Sequence, residues 1–220
     1  MPSASTVLGI VWRDLTDPTF LQALGGSLRR MTIGYAFVVL IGIGTGLVLG
    51  RYRLLDEVFG VLAVALHGIP AAAWVPFAIA LFGLSEGTIL LTIVLGATGI
   101  VMVSTSAGIR GVPSLTLWAA RTMGARGAKQ FWHVVVPAAI PRIVDGLRLA
   151  WAFGWRALMA GELLVASVRG MGQLLNAVAK QGLVPELMAF MLIIAFIGVT
   201  VDGLVFERLE RSVRVRWETA

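Results

Sequence analysis

The chain has 220 residues, of which 58% are apolar and 14% charged, with a mean hydropathy of +0.88 and a net charge of +6. A soluble domain is about 45–50% apolar and about 25% charged, so one core of this size cannot hide the apolar surface and lipid must cover part of it. The lack of cysteine excludes disulfides, thiolate metal sites and cysteine catalysis, and in a membrane chain the basic excess reads as loops held in the cytoplasm, not as a nucleic-acid footprint.

Met1 to Ser5 carry no basic run, and Arg13, Asp14 and Asp17 break the next apolar stretch, which argues against a cleaved signal peptide. Residues 6–30 read as an interfacial helix leading into the first span, so that an N-terminal interfacial segment, 1–30, precedes a transmembrane domain, 31–216; a weakly apolar extra span is the alternative. Five stretches have the roughly 20 apolar residues a spanning helix needs: Met31–Leu49, Val58–Leu84, Gly87–Ile109, Leu149–Ser167 and Leu187–Phe206. The fold class is therefore all-α, a polytopic membrane protein. With the C-terminus inside and the N-terminus outside, Arg51, Arg53, Arg110, Arg121, Arg126, Lys129, Arg142, Arg148, Arg208, Arg211, Arg214 and Arg216 are cytoplasmic, as the positive-inside rule favours. Arg29 and Arg30 fall just outside the first span and are expected to snorkel to headgroups.

Residues 110–148 are too long for a tight turn. Ser114 is placed to cap a short helix through Met123, Gly124 to end it in a left-handed conformation, and Ala125–Val135 to form a second helix that stops at Pro137. Two short helices meeting at a glycine make a cytoplasmic knob. Trp118, Met123, Phe131 and Trp132 exceed what a solvated basic loop needs, and they suit docking on another protein.

This segment resembles the "EAA" loop of ABC importer permeases: Ala119 and Ala120 match the two alanines, Gly124 the glycine, and Pro137 and Pro141 the tail, while Trp118 stands where that family usually has a Glu that helps dock the ATPase. The likeness extends to Ser27-Leu28-Arg29-Arg30 with Gly34, Gly42, Gly44, Gly46 and Gly50, to His67-Gly-Ile-Pro70 through Trp74-Val-Pro76, to Gly108-Ile-Arg110-Gly111-Val112, and to Trp155, Glu162-Leu-Leu and Gly170-Met-Gly172. Together these are similar to permeases of the nitrate, sulfonate, taurine and bicarbonate class. The resemblance implies a five-helix core of the methionine-permease type in a bacterial inner membrane, paired with a second permease subunit as a homo- or heterodimer. It also implies two ATPase subunits below and a substrate-binding protein above. The coupling contacts would fall on Leu117, Trp118, Ala119, Ala120, Arg121, Met123, Gly124 and Arg126. ATP and Mg would be bound by the partner ATPases, with no cofactor in this chain.

Within the spans, the glycines at helical spacing allow close helix approach, either as static packing or as a sliding surface. Pro70 and Pro76 each remove a backbone hydrogen bond, and freed carbonyls at membrane depth need protein or a water-filled cavity, so this segment and nearby His67 are candidates for the translocation pathway. Arg156 and Glu162 are costly in hydrocarbon. Their spacing of six is poor for pairing along one helix, so each is expected to pair across helices or subunits, Arg156 alternatively attracting an anionic substrate. Asp202, Glu207, Arg208, Glu210 and Arg211 read as a charged interface anchor. No phosphate-binding loop, metal set or triad appears, so the chain is expected to be a transport subunit without its own ATPase site. An autonomous secondary transporter or channel is the rival, but it would need its own ion-coupling residues and usually an internal repeat.

Overall fold

The computed structural model describes residues 3–218, and every regular element among them is helical. α1 (Ala4–Asp14) starts where Ser3 Oγ accepts the Thr6 N–H at 3.3 Å. α2 (Pro18–Arg51) starts with the Asp17 carboxylate accepting the Thr19 N–H at 3.0 Å and with Pro18 at its first position, where the missing donor costs nothing. Its 34 residues reach about 50 Å at 1.5 Å each. It passes through residue 30 without a break.

After α3 (Arg53–Leu55) and a wide π-helical turn at Asp56–Gly60 come α4 (Val61–Gly68) and α5 (Ala71–Phe82). The single span expected over 58–84 is thus two helices. Pro70 lies between them, with φ −54° and ψ 135°, as the residue that starts α5. Its ring disfavours helical geometry at Ile69, so α4 stops at Gly68 and, of these two prolines, Pro76 alone lies inside a helix. α6 (Glu86–Arg110) and α7 (Ser114–Thr122) follow, then α8 (Gly127–Gln130), a second π turn at Phe131–Val135, and α9 (Val136–Leu164). The second knob helix therefore does not stop at Pro137. The π turn spaces the proline ring from the carbonyl behind it, and the chain runs on through α9. α10 (Met171–Lys180), α11 (Val184–Val201), a third π turn and α12 (Glu207–Glu218) complete the order.

Among the described residues three helices are long and apolar enough to cross a membrane: Pro18–Arg51, Glu86–Arg110 and the continuous Val184–Ser212. α9 has the length, but Arg142, Asp145, Arg148, Arg156 and Glu162 lower its hydropathy.

The chain forms two compact units. One comprises the residues up to Ala36, Ile69–Gly96 and Ala152–Asp202; the other Phe37–Gly68, Ala97–Trp151 and the residues from Gly203. In the first, Met31, Ile89, Ile93, Leu158 and Met171 are fully buried, α1 packs on α11, and the rings of Phe20 and Phe190 lie 5.5 Å apart. In the second, Ile109, Phe131, Ala139 and Ile143 form a core under Ile43, Leu47 and Leu147.

The glycines of α2 are notches for α6. In the second unit a β-carbon at Gly42, Gly46 or Gly50 would stand 2.6, 2.5 and 2.8 Å from Val101, Thr105 and Ile109 respectively. All three pairs have the same offset in sequence, so the helices run parallel and in register. In the first unit Gly34 meets Ile93 in the same way, at 2.9 Å. Gly44, on the opposite face, meets nothing within 4 Å. These are interlocked close contacts of the small-residue type.

Candidate functional site

Glu162, near the end of α9, is the centre of the first unit's polar chemistry. Its side chain is 0% exposed, yet every oxygen is served. Arg30 donates from Nε at 3.0 Å and Nη2 at 2.6 Å, Ser27 Oγ lies 2.8 and 2.9 Å from the two carboxylate oxygens, and the Gly172 N–H donates at 2.9 Å. Ser27 Oγ also accepts the Met171 N–H at 2.9 Å, and Arg30 Nη2 donates to the Arg169 carbonyl at 2.8 Å. One carboxylate thus ties α2, α9 and the start of α10 together. The Gly170-Met171-Gly172 sequence follows from it: a β-carbon at Gly170 or Gly172 would stand 2.4 or 2.6 Å from Glu162 side-chain atoms. Arg30 is 3% exposed and does not snorkel, because the Glu162 carboxylate offers it a better partner than headgroups; exposed Arg29 pairs with Glu86 instead. Sequence reading missed Ser27 and Arg30 as the partners of Glu162. Their signal was the three-residue spacing on one helix face.

Arg156, six residues before Glu162, takes part in none of this. It is exposed, with its guanidinium carbon 5.2 Å from the centre of the Phe153 ring. Pro70 and Pro76 are exposed. His67, in the second unit, is half-buried, and Gly99 leaves room beside its β-carbon.

The knob belongs to the second unit. Pro113, with φ −57° and ψ 138°, takes the capping position expected of Ser114, which instead starts α7 and makes no side-chain cap. The other end is a Schellman turn: the Ala125 N–H donates to the Ala120 carbonyl at 2.9 Å, the Gly124 N–H to the Arg121 carbonyl at 3.0 Å, and Gly124 takes φ +86°. Gln130 Nε2 donates to the Leu117 carbonyl at 2.9 Å, clamping α7 to the next helix. Phe131 anchors the base in the core, with the Arg51 guanidinium 5.0 Å from its ring centre. Ala120 is buried and Leu117 half-buried, so they face inward. Leu115 (79% exposed), Trp118 (68%), Ala119 and Met123 (87%) share the outer face, flanked by exposed Arg121 and Arg126. Leu115 was missed, although its three-residue spacing from Trp118 marks the same stripe. The outer face of α7 is thus an exposed apolar patch with a basic rim.

Charge separates between the units. The first has six Lys/Arg and six Asp/Glu, the second twelve against six, so the net charge of +6 belongs wholly to the unit that carries the knob. There Asp56 pairs with Arg110 and accepts from Ser106 Oγ at 2.6 Å, Arg148 bonds Glu210 at 2.9 Å, and Glu207 pairs with Arg211.

A family model described as "Binding-protein-dependent transport system inner membrane component" matches residues 39–215. A putative ABC transporter permease protein of Methanocaldococcus jannaschii is 34% identical over 80% of this chain and 66% of its own length. The taurine transport system permease protein TauC of Escherichia coli is 30% identical over 83% and 66%, and the bicarbonate transport system permease protein CmpB of Synechococcus elongatus 29% over 81% and 64%. The chain thus spans just under two thirds of the length of these relatives. Among solved structures, the MetNI methionine ABC transporter in inward-facing conformations matches with a TM-score of 0.73 at 16% identity, covering 88% of this chain and 95% of that one. An amino acid ABC transporter with histidines matches at 0.69 and 18%, covering 90% and 94%. At such identities the likeness is one of fold.

Proposed function

The chain belongs to the family of binding-protein-dependent transport system inner membrane components, and from that premise we propose that it forms half of the membrane pathway of an ATP-driven importer. The family is a transport subunit that works in general with ATPase and binding-protein partners. In this reading a second permease subunit completes the pathway, two ATPase subunits bind ATP and Mg, and a substrate-binding protein delivers a small anionic nutrient. The relative named for bicarbonate supports that substrate class, and the one named for taurine adds a zwitterion whose sulfonate is anionic.

The observation that carries the reading is the outer face of α7. Leu115, Trp118 and Met123 are each more than two-thirds exposed on a knob that Gln130, Phe131 and the Schellman turn make rigid. Residues 114–133 are, in this reading, the coupling element that fits a cleft of the ATPase and transmits its closure. The kinked segment with His67, Pro70 and Pro76 lines the pathway against the second subunit. The test is co-purification followed by uptake. The tagged chain is expected to bring an ATPase subunit out of its native membrane and, with the binding protein, to support ATP-dependent accumulation in proteoliposomes. A chain that moves solute in the absence of any ATPase would be a secondary transporter or channel instead.

A further inference from the structure

Five exposed positions of α9, Arg142, Asp145, Leu149, Ala152 and Arg156, follow one another at three or four residues and share one face. Arg156 is the charge of this face that falls within the apolar stretch Leu149–Ser167, where a charge is expensive unless it faces protein or water. Arg156 lies eight residues from Leu164, about 12 Å inside that end of the helix. Arg30 and Arg29 of the same unit each have an acid, Glu162 and Glu86 respectively. Among the described residues no carboxylate lies within ion-pair distance of Arg156. Glu162 cannot serve, since its oxygens are occupied and six helical positions put it on a different face.

We propose that Arg156 is an anion-binding residue of a water-filled path, which takes small oxyanions such as sulfonates or carboxylates. The guanidinium carbon lies 5.2 Å from the centre of the Phe153 ring, and among the described residues its N–H donors meet no hydrogen-bond acceptor. A planar fork of that kind matches two oxygens of one anion. Four residues away on either side stand alanines, Ala152 and Ala160, so those two positions add little bulk beside it. The proposal names the substrate contact within the import reading and rests on it for its physiological meaning.

The chain has no native cysteine, so single cysteines report without further changes. Ala152→Cys and Ala160→Cys are made in the full chain, in native membranes with its partner subunits. They are reacted with two thiol reagents of similar size, 2-sulfonatoethyl and 2-(trimethylammonio)ethyl methanethiosulfonate. Both reagents are expected to react, the anionic one faster. Adding Arg156→Gln should lower the anionic-to-cationic rate ratio by about tenfold, as expected for removing one charge at close range from a partly desolvated site. Arg156→Lys should keep most of the ratio. Millimolar methanesulfonate should slow labelling when Arg156 is present and not with the Gln variant. No reaction with either reagent would mean a lipid-facing or occluded face, and a ratio unmoved by Arg156→Gln would mean a partner carboxylate neutralises the charge; either overturns the proposal. Capture of an ATPase by a chain whose ratio does not move removes the anion site alone. A shifted ratio in a chain that captures no ATPase removes the import reading alone.

Discussion

Glu162 Oε1 stands 2.6 Å from Arg30 Nη2, across 132 residues of sequence, with both side chains closed to solvent. A buried pair of this kind adds little over an apolar pair of the same shape, but breaking it strands a charge. Arg30→Ala and Glu162→Ala are each expected to cost about 3–5 kcal/mol. The double variant should lose less than the sum, because neither charge is then left alone. Thermal unfolding in detergent measures this. Additive losses would mean that the two residues do not act as one unit.

The same carboxylate makes Gly170 and Gly172 sensitive. Gly172→Ala puts a β-carbon 2.6 Å from the Glu162 side chain and 2.9 Å from the Met159 carbonyl, neither of which can retreat. The expected cost is about 1–3 kcal/mol, with faster hydrogen exchange at residues 165–172 as the loop loses its ties. On α2, Gly46→Ala meets Thr105 while Gly44→Ala meets open space. The first should lower the melting temperature and the second leave it unchanged or raise it, since alanine is the better helix former. Equal effects at 44 and 46 would contradict the interlocked α2–α6 contact.

How far this was legible in the sequence depended on whether the cause was local. The left-handed turn at Gly124 was legible, because only glycine enters that conformation without strain and the helical pattern on both sides demands a turn. The weight placed on Glu162 and on Gly170-Met171-Gly172 was legible as a resemblance, but its reason was not. The partner, Arg30, is far away in sequence, and read alone it sits at a span's edge, where snorkelling is the ordinary expectation. Pro70 and Pro137 misled in opposite directions. One separates two helices where a single kinked span was expected, and the other is carried through a helix by the π turn at Phe131–Val135. Neither π turn nor register is written in hydropathy.

The distribution of charge predicts orientation. All net positive charge lies in the unit that carries the knob and the C-terminal helix, which the positive-inside rule places in the cytoplasm. Leu115→Cys and Ser212→Cys should be labelled by an impermeant maleimide only after the membrane is opened, and Thr16→Cys in intact spheroplasts. Labelling of Ser212→Cys from outside would reverse the assignment.

The knob makes the last prediction, and it separates docking strength from docking shape. Trp118 and Met123 supply exposed apolar area, so Trp118→Ala should weaken ATPase capture by tenfold or more, the loss of a buried aromatic anchor being about 2 kcal/mol or above. Because the contact is apolar, capture should change little between low and high salt, whereas a contact resting on Arg121 and Arg126 would fade as screening rises. Gly124 acts differently. Its φ of +86° resists a β-carbon, at a cost of about 1–2 kcal/mol for leaving the left-handed turn unaided. That is too little to unfold a membrane domain and enough to re-aim α7. Gly124→Asp should therefore insert and pair normally, keep part of its ATPase capture, and lose ATP-driven uptake, as expected of an element that must transmit motion and not merely bind. Gln130→Ala, which removes the clamp on the Leu117 carbonyl, should reproduce that split in milder form. Uptake that falls only in proportion to ATPase capture in both variants would reduce the knob to an adhesive patch.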